Sequence, residues 1–185
     1  MARTTLFALG VSMAAAAFVF VPGDAGAQLK SAGASVSFTA VGPAGMKING
    51  TTSELAVKDD AQKITVTVPL ANLKTGIDLR DKHMREKYLQ VAQFPNAELE
   101  VSRASLNLPA DGSNAAGSGQ GTMKIHGKSK PVTFKYTAKR AGTTYEVSGN
   151  VQVNVKDYGI EIPSYMGVTV KPDVDVAVKF TAKDQ

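Results

Sequence analysis

The chain has 185 residues, two histidines, no cysteine and a formal net charge of +5 at pH 7. The absence of cysteine excludes thiol catalysis, disulfide exchange and cysteine-based zinc sites. The positive charges are spread along the chain without a run of five like charges, so the sequence lacks the electrostatic signature of a nucleic-acid-binding protein.

The N-terminus has the pattern of a cleaved secretory signal. Arg3 precedes 16 uncharged, mostly apolar residues at 6–21, and the small-residue sequence Ala25-Gly26-Ala27 follows. The apolar run is shorter than the ~20 residues that a spanning helix needs. We therefore expect cleavage after Ala27, export without a stable membrane anchor, and one domain over residues 28–185.

Apolar residues recur at every second position throughout the mature chain, in runs of strand length. The runs contain Val36 and Phe38; Leu55 and Val57; Ile64 to Leu70; Ala97 to Val101; Leu106 and Leu108; Met123 and Ile125; Val132 to Ala138; Tyr145 to Val155; and Val174 to Phe180. This alternation is typical of antiparallel strands with one solvated face. About eight such strands in one domain predict an all-β barrel or a sandwich.

The segments between these runs carry turn residues. Residues 111–121, DGSNAAGSGQG, have little to bury and predict a flexible surface loop. His126 stands at a strand end before Gly127, where a turn histidine is the expected interpretation.

The inward-facing residues leave the interior thinly aromatic. An eight-stranded barrel is either just filled by its side chains or holds one small ligand. Three of the seven phenylalanines belong to the predicted signal, and the chain has no tryptophan. This composition favours an apolar cavity, although the same residues would fill a flattened sandwich.

Residues 75–95, TGIDLRDKHMREKYLQVAQFP, differ from the rest in charge density. The segment predicts a short amphipathic helix at about residues 77–92, capped by Thr75 or Asp78 and ending before Pro95. Met84, Tyr88 and Val91 share one face at helical spacing. Three pairs of opposite charge stand four residues apart: Asp78 with Lys82, Asp81 with Arg85, and Lys82 with Glu86.

The charged helix does not carry a recognisable catalytic motif. Asp81 and His83 are two residues apart and therefore point to different sides of a helix. The chain contains neither a G-x-S-x-G elbow nor an H-x-x-x-H pair. We therefore expect no catalytic residue and no metal site, and we interpret His83 as a structural or ligand-contacting residue.

Three motifs in one order resemble a known family. They are Thr75-Gly76 with Arg80-Asp81-x-His83-Met84 running to Phe94-Pro95, then GTMKIHGKSKPVTF at 121–134, and VNVKDYGIEIPS at 153–164. The chain resembles the YceI-like family of bacterial periplasmic polyisoprenoid-binding proteins over nearly all of its mature length. It departs from the family pattern at Val41-Gly42, where a histidine is common.

The resemblance implies a lipocalin-like, eight-stranded antiparallel barrel in the periplasm. Its long apolar cavity would hold a polyisoprenoid, an isoprenoid quinone or another long-chain lipid, for transport, storage or quinone handling. No further cofactor is implied. Family members often form dimers, so a homodimer is compatible with the resemblance.

The expected lipid site combines strand residues with residues of the helix. Arg80 or His83 would contact a head group, and Met84 and Tyr88 would cover the mouth. The tail would contact Phe38, Val66, Val68, Leu99, Met123, Phe134 and Val178. Two alternatives remain: a lipid-modifying enzyme that uses His83 with Asp81 or Asp157, and an interaction protein whose barrel is filled.

Overall fold

The structure is a computed structural model, and it describes residues 28–29, 32–165 and 168–183. The expected signal peptide at residues 1–27 lies outside the described residues. Within the described part of the chain, no helix is both long and apolar enough to cross a membrane.

The expectation of an all-β, antiparallel fold is confirmed. The strands are β1 Gln28–Leu29, β2 Ala32–Val41, β3 Lys47–Thr52, β4 Ala56–Asp59, β5 Lys63–Pro69, β6 Asn96–Ser102, β7 Asn114–Ile125, β8 Lys128–Ala141, β9 Thr144–Asn154, β10 Ser164–Tyr165, β11 Val168–Thr169 and β12 Asp173–Lys183. One sheet has the order β1-β4-β5-β6-β7-β8-β9-β12-β2-β3, and β10 pairs with β11.

The link between β3 and β4 makes the sheet curl strongly. These strands belong to opposite ends of the sheet order, yet only residues 53–55 separate them. A link of this length spans at most ~14 Å, so the two ends of the sheet must meet. Thr51 and Lys74 form a backbone bridge beside this junction, and Leu55 packs against Val57 and Phe180.

This closure reconciles the strand count with the eight predicted strands. β3 pairs with β2, whereas β4 pairs with β5 and β1. β3 and β4 therefore act as two halves of one interrupted strand, which closes the sheet together with β2, β5, β6, β7, β8, β9 and β12. The two-residue β1 extends the end of the sheet beside β4.

The helix is shorter than the sequence predicted. Helix α1 spans Asp78–His83 and continues into a π-helical turn at Met84–Tyr88, so Val91 lies beyond it. Ile77 occupies the N-cap position without a side-chain hydrogen bond, so neither predicted cap forms. Among the described residues, none of the three predicted charge pairs forms a salt bridge. The buried Asp81 bonds to Thr75 instead.

Two expectations about the region before β8 are wrong. Residues 114–121 are part of strand β7 and not of a loop. Gly117 and Gly119 pair with aromatic residues of β8, and the aromatic rings occupy the space that a side chain on each glycine would fill. Leu106 and Leu108 are outside any strand, after a 3₁₀ turn at Arg103–Ser105. They still contact the interior, which explains their apolar character.

Candidate functional site

The curled sheet surrounds a cavity of about 660 Å³, well within the range of known ligand pockets. On β12 the cavity is lined from Val174 to Ala182 at alternate positions, a path of ~26 Å along the strand. All eleven residues expected at a lipid site line this cavity. They are Phe38, Val66, Val68, Arg80, His83, Met84, Tyr88, Leu99, Met123, Phe134 and Val178. The filled-barrel alternative is therefore not supported.

Glycines that pair with aromatic residues let the aromatic rings lie flat against the sheet instead of filling the cavity. Phe134 pairs with Gly119 and Tyr136 with Gly117 across β7 and β8. A Cβ atom on Gly119 would lie 2.8 Å from Cε2 of Phe134 and closer still to Cζ. Phe38 covers Gly50 in the same way. The rings therefore lie against the sheet where a neighbouring side chain would stand, and the interior stays open.

One end of the cavity, which we call the mouth, is formed by helix α1, the π-helical turn and the segment before it. Ile77 and Leu79 line the cavity there and are 53% and 64% exposed. Met84 and Tyr88 of the π-helical turn also line the cavity. Glu161 and Lys171 contribute charged groups to the same lining.

Thr75 connects the two charged residues of the family motif. Its backbone N–H and its hydroxyl donate to Oδ1 of Asp81 at 2.8 and 2.5 Å. Nε of Arg80 donates to the Thr75 hydroxyl at 2.7 Å, and Nη2 donates to the Thr75 carbonyl at 2.9 Å. Arg80 is thereby held at the mouth without a direct salt bridge to Asp81.

These contacts set the protonation of Asp81, which is only 4% exposed. Burial alone would raise the pKa of its carboxyl group. The hydrogen bonds from Thr75 and the charges of Arg85 and Arg80 together outweigh burial, so the pKa lies below its ordinary value of 3.8. Asp81 is therefore an ionised structural anchor.

The residues of the enzymatic alternative do not converge. His83 is exposed at the mouth, Asp81 is bonded to Thr75, and Asp157 is exposed outside the cavity lining. In the described part of the chain, no hydrogen bond joins His83 to either carboxylate. Nor do the described residues contain a group of three or more His, Cys, Asp or Glu placed to hold a metal ion.

The far end of the cavity carries an ion pair that the sequence did not reveal. Asp59, at the end of β4, forms a salt bridge with Arg103, directly after β6, and both line the cavity. Oδ1 of Asp59 also accepts a hydrogen bond from the backbone of Ala61. Tyr136 lies at this end too, and its hydroxyl accepts from Asn107 N–H at 2.6 Å.

His126 occupies the hairpin turn between β7 and β8, as predicted. Its φ of 50° and the φ of 72° at Gly127 are typical of a two-residue type I′ turn. The ring packs against Phe94 at a centroid distance of 4.5 Å, and Nδ1 lies 3.3 Å from the carbonyl oxygen of Tyr158. His126 therefore has a structural position outside the cavity lining.

Curated relatives of similar sequence come from Pseudomonas. A UPF0312 protein of Pseudomonas fluorescens (strain SBW25) is 34% identical over 139 residues, which are 69% of this chain and 68% of the relative. A UPF0312 protein of Pseudomonas syringae pv. tomato is 33% identical over 133 residues, with shares of 68% and 67%.

Solved structures of low sequence identity have the same fold. A polyisoprenoid binding domain from Saccharophagus degradans, implicated in plant cell wall breakdown, matches with a TM-score of 0.71 and 16% identity over 85% of this chain and 98% of that chain. BcnA of Burkholderia cenocepacia matches with a TM-score of 0.64 and 19% identity over 81% and 96%.

A third solved structure is a YCEI protein of Campylobacter jejuni, with a TM-score of 0.58 and 16% identity over 76% of this chain and 86% of that chain. The family model described as YceI-like domain matches residues 28–182, from β1 almost to the end of β12. The chain therefore belongs to the YceI-like domain family.

Proposed function

We propose that the protein binds a polyisoprenoid or another long-chain lipid inside its barrel. The observation that carries this proposal is the cavity itself, whose lining is apolar along its length and charged only near its two ends. The polyisoprenoid binding domain of Saccharophagus degradans supports the same ligand class.

The size of the cavity sets the scale of binding. A volume of about 660 Å³ holds about 20 groups of the size of water, and a methylene group is close to water in size. Burying ~20 methylene groups at ~0.8 kcal/mol each contributes ~16 kcal/mol. The loss of freedom on association costs about 4–15 kcal/mol, so a chain of this length can bind without specific polar contacts.

A polar head group would remain at the mouth beside Arg80. A guanidinium group has five N–H donors, and the two hydrogen bonds to Thr75 leave the others without a partner among the described residues. These donors suit a phosphate or carbonyl oxygen. His83, exposed on the same helix, is the second candidate for this contact.

The predicted signal peptide supports a periplasmic location. In that compartment a barrel of this kind would shield an isoprenoid chain from water during transport, storage or quinone handling. The separate positions of His83, Asp81 and Asp157 favour such a binding role over a lipid-modifying reaction.

The test is lipid identification combined with a matched pair of variants on β12. Purified full-length protein from a bacterial host is extracted with organic solvent and analysed by mass spectrometry, and delipidated protein is titrated with an isoprenoid lipid. Val178→Phe adds a ring to the lining, whereas Lys179→Phe adds the same ring to the exposed face.

We expect a co-purified long-chain lipid and weaker binding in the Val178→Phe variant only. The added ring displaces two or three methylene groups, which corresponds to ~2 kcal/mol or a loss of about thirtyfold. The proposal is refuted if the protein carries no lipid and does not respond to the titration, or if both variants bind with equal affinity.

A further inference from the structure

Large apolar side chains are exposed at the mouth end of the barrel. Among the described residues, the exposed large hydrophobic side chains are Met46 at 56%, Ile77 at 53% and Leu79 at 64%. Ile77 and Leu79 line the opening of the cavity. We call these three residues the apolar rim.

Met46 belongs to the rim although it lies on another part of the chain. It precedes β3, in the turn that joins β2 to β3. Its methyl carbon and Cδ1 of Ile48 both lie 3.4 Å from the position of a Cβ on Gly42. Since Ile48 lines the cavity, Met46 stands beside the cavity wall at the mouth end.

Basic residues surround the apolar rim. Four exposed lysines, which we call the basic collar, are Lys47, Lys74, Lys82 and Lys171. Lys47 follows Met46 directly, Lys82 is on α1, Lys74 is bridged to Thr51 of β3, and the Lys171 N–H donates to the carbonyl of Val41. The exposed acidic groups at this end are Asp78, Glu86, Glu161 and Asp173, whereas Arg80, Arg85 and Lys87 of the helical segment add to the four lysines. Basic residues therefore outnumber acidic ones at the mouth.

We propose that the mouth docks reversibly on the surface of an anionic lipid bilayer. Apolar side chains that insert among lipid chains, surrounded by lysines that contact anionic head groups, are the features of interfacial membrane binding. Scattered exposed apolar residues are common on proteins, but here they coincide with the opening of an apolar cavity and with matching charge. A lipid could then pass between bilayer and cavity with its chain shielded from water.

This inference deepens the proposed lipid-binding function, but its test does not require lipid uptake. The mature protein, residues 28–185, is mixed with vesicles of phosphatidylcholine alone or with added phosphatidylglycerol, and the bound fraction is measured by flotation. The key variant is Lys47→Gln/Lys74→Gln/Lys82→Gln, which leaves the cavity lining intact. The matched control is Lys58→Gln/Lys139→Gln/Lys183→Gln, at exposed positions near the opposite end of the strands.

Both triple variants lower the net charge by the same amount. Each lysine near an anionic surface contributes about fivefold to the partition coefficient, so we expect the mouth variant to lose about 100-fold and the control much less. Met46→Ser should lose about fivefold to tenfold, because it removes an inserting side chain. Binding should also weaken as salt rises from ~0.01 M to ~1 M and the Debye length falls from ~30 to ~3 Å.

Several outcomes would overturn the proposal. Equal losses in the two triple variants would show general charge attraction without a docking face. No binding to anionic vesicles would exclude the bilayer as the partner. If sedimentation shows a dimer that the Met46→Ser variant dissociates, a second copy of the chain covers the rim. Lipid titration in solution, measured on the same samples, separates each of these results from a failure of the lipid-binding proposal.

Discussion

Gly119 holds open the space in which the Phe134 ring lies, so Gly119→Ala tests how the cavity keeps its volume. The new Cβ would lie 2.8 and 3.0 Å from Cε2 and Cε1 of the ring. Carbon atoms prefer separations of ~3.5–4.0 Å, and Cζ of the ring lies closer to the new Cβ than Cε2 does, so the ring must move by at least ~1 Å. The sheet blocks the outward direction, and the ring therefore moves into the cavity.

The expected effects on stability and on binding differ in size. Overpacking costs about 1–3 kcal/mol, and replacing glycine at an ordinary φ returns ~0.4–1 kcal/mol through the unfolded state. The free energy of unfolding should therefore fall by about 0–2.6 kcal/mol. If the displaced ring takes the room of two methylene groups, lipid affinity falls by ~1.6 kcal/mol, or about 15-fold.

The assay is titration of delipidated protein with an isoprenoid lipid, together with chemical denaturation. Gly117→Ala is the graded control, because its Cβ would lie 3.3 Å from the Tyr136 ring, a contact that a small shift relieves. We expect this variant to change affinity by less than about threefold. If Gly119→Ala binds lipid with wild-type affinity, or if both variants lose affinity equally, the glycines do not keep the cavity open by making room for the rings.

Two further predictions concern the polar contacts at the ends of the barrel. Arg103→Met leaves the buried carboxylate of Asp59 unpaired and should lower the free energy of unfolding, measured by urea denaturation, by ~1–3 kcal/mol. The double variant Asp59→Asn/Arg103→Met should recover part of this loss, because it also removes the unpaired charge. A loss of less than ~0.5 kcal/mol in Arg103→Met would contradict the prediction. Thr75→Val removes the hydroxyl that donates to Asp81. Because the folded pKa of Asp81 lies below 3.8, its stabilisation is complete above that pH and disappears as the pH falls through the lower folded value. The stability of the wild-type and Thr75→Val proteins should therefore differ at pH 7 and converge in strong acid, and a difference that stays constant over this range would contradict the prediction.

The period-two pattern predicted the cavity lining well because burial in a curled antiparallel sheet depends on which face a side chain occupies. Val66, Val68, Leu99 and Val178 follow from alternation alone. The segment 114–121 was misassigned because its composition is that of a loop. The alternation of Gly117, Gly119 and Gly121 with polar residues could have indicated a strand. It has the two-residue period of a strand, with glycine at the positions that face the interior.

The polar contacts at the two ends of the cavity depend on tertiary structure, so local sequence patterns could not predict them. Asp59 and Arg103 are far apart in sequence and meet only because β4 and β6 both pair with β5. Helical spacing predicted a pair between Asp81 and Arg85, but the turn at Thr75 brings a hydroxyl and a backbone N–H to the Asp81 carboxylate. Two hydrogen bonds in a buried position outweigh an exposed pair.

The ion pair of Asp59 and Arg103 also makes the two ends of the cavity chemically different. One end is occupied by charges that bond to each other, while the other carries exposed Ile77 and Leu79. A lipid chain would enter tail first and leave by the same opening, with its head group outermost. An acceptor protein could therefore recognise the head group of the cargo while the hydrocarbon remains enclosed, and a chain longer than the interior would protrude at the mouth.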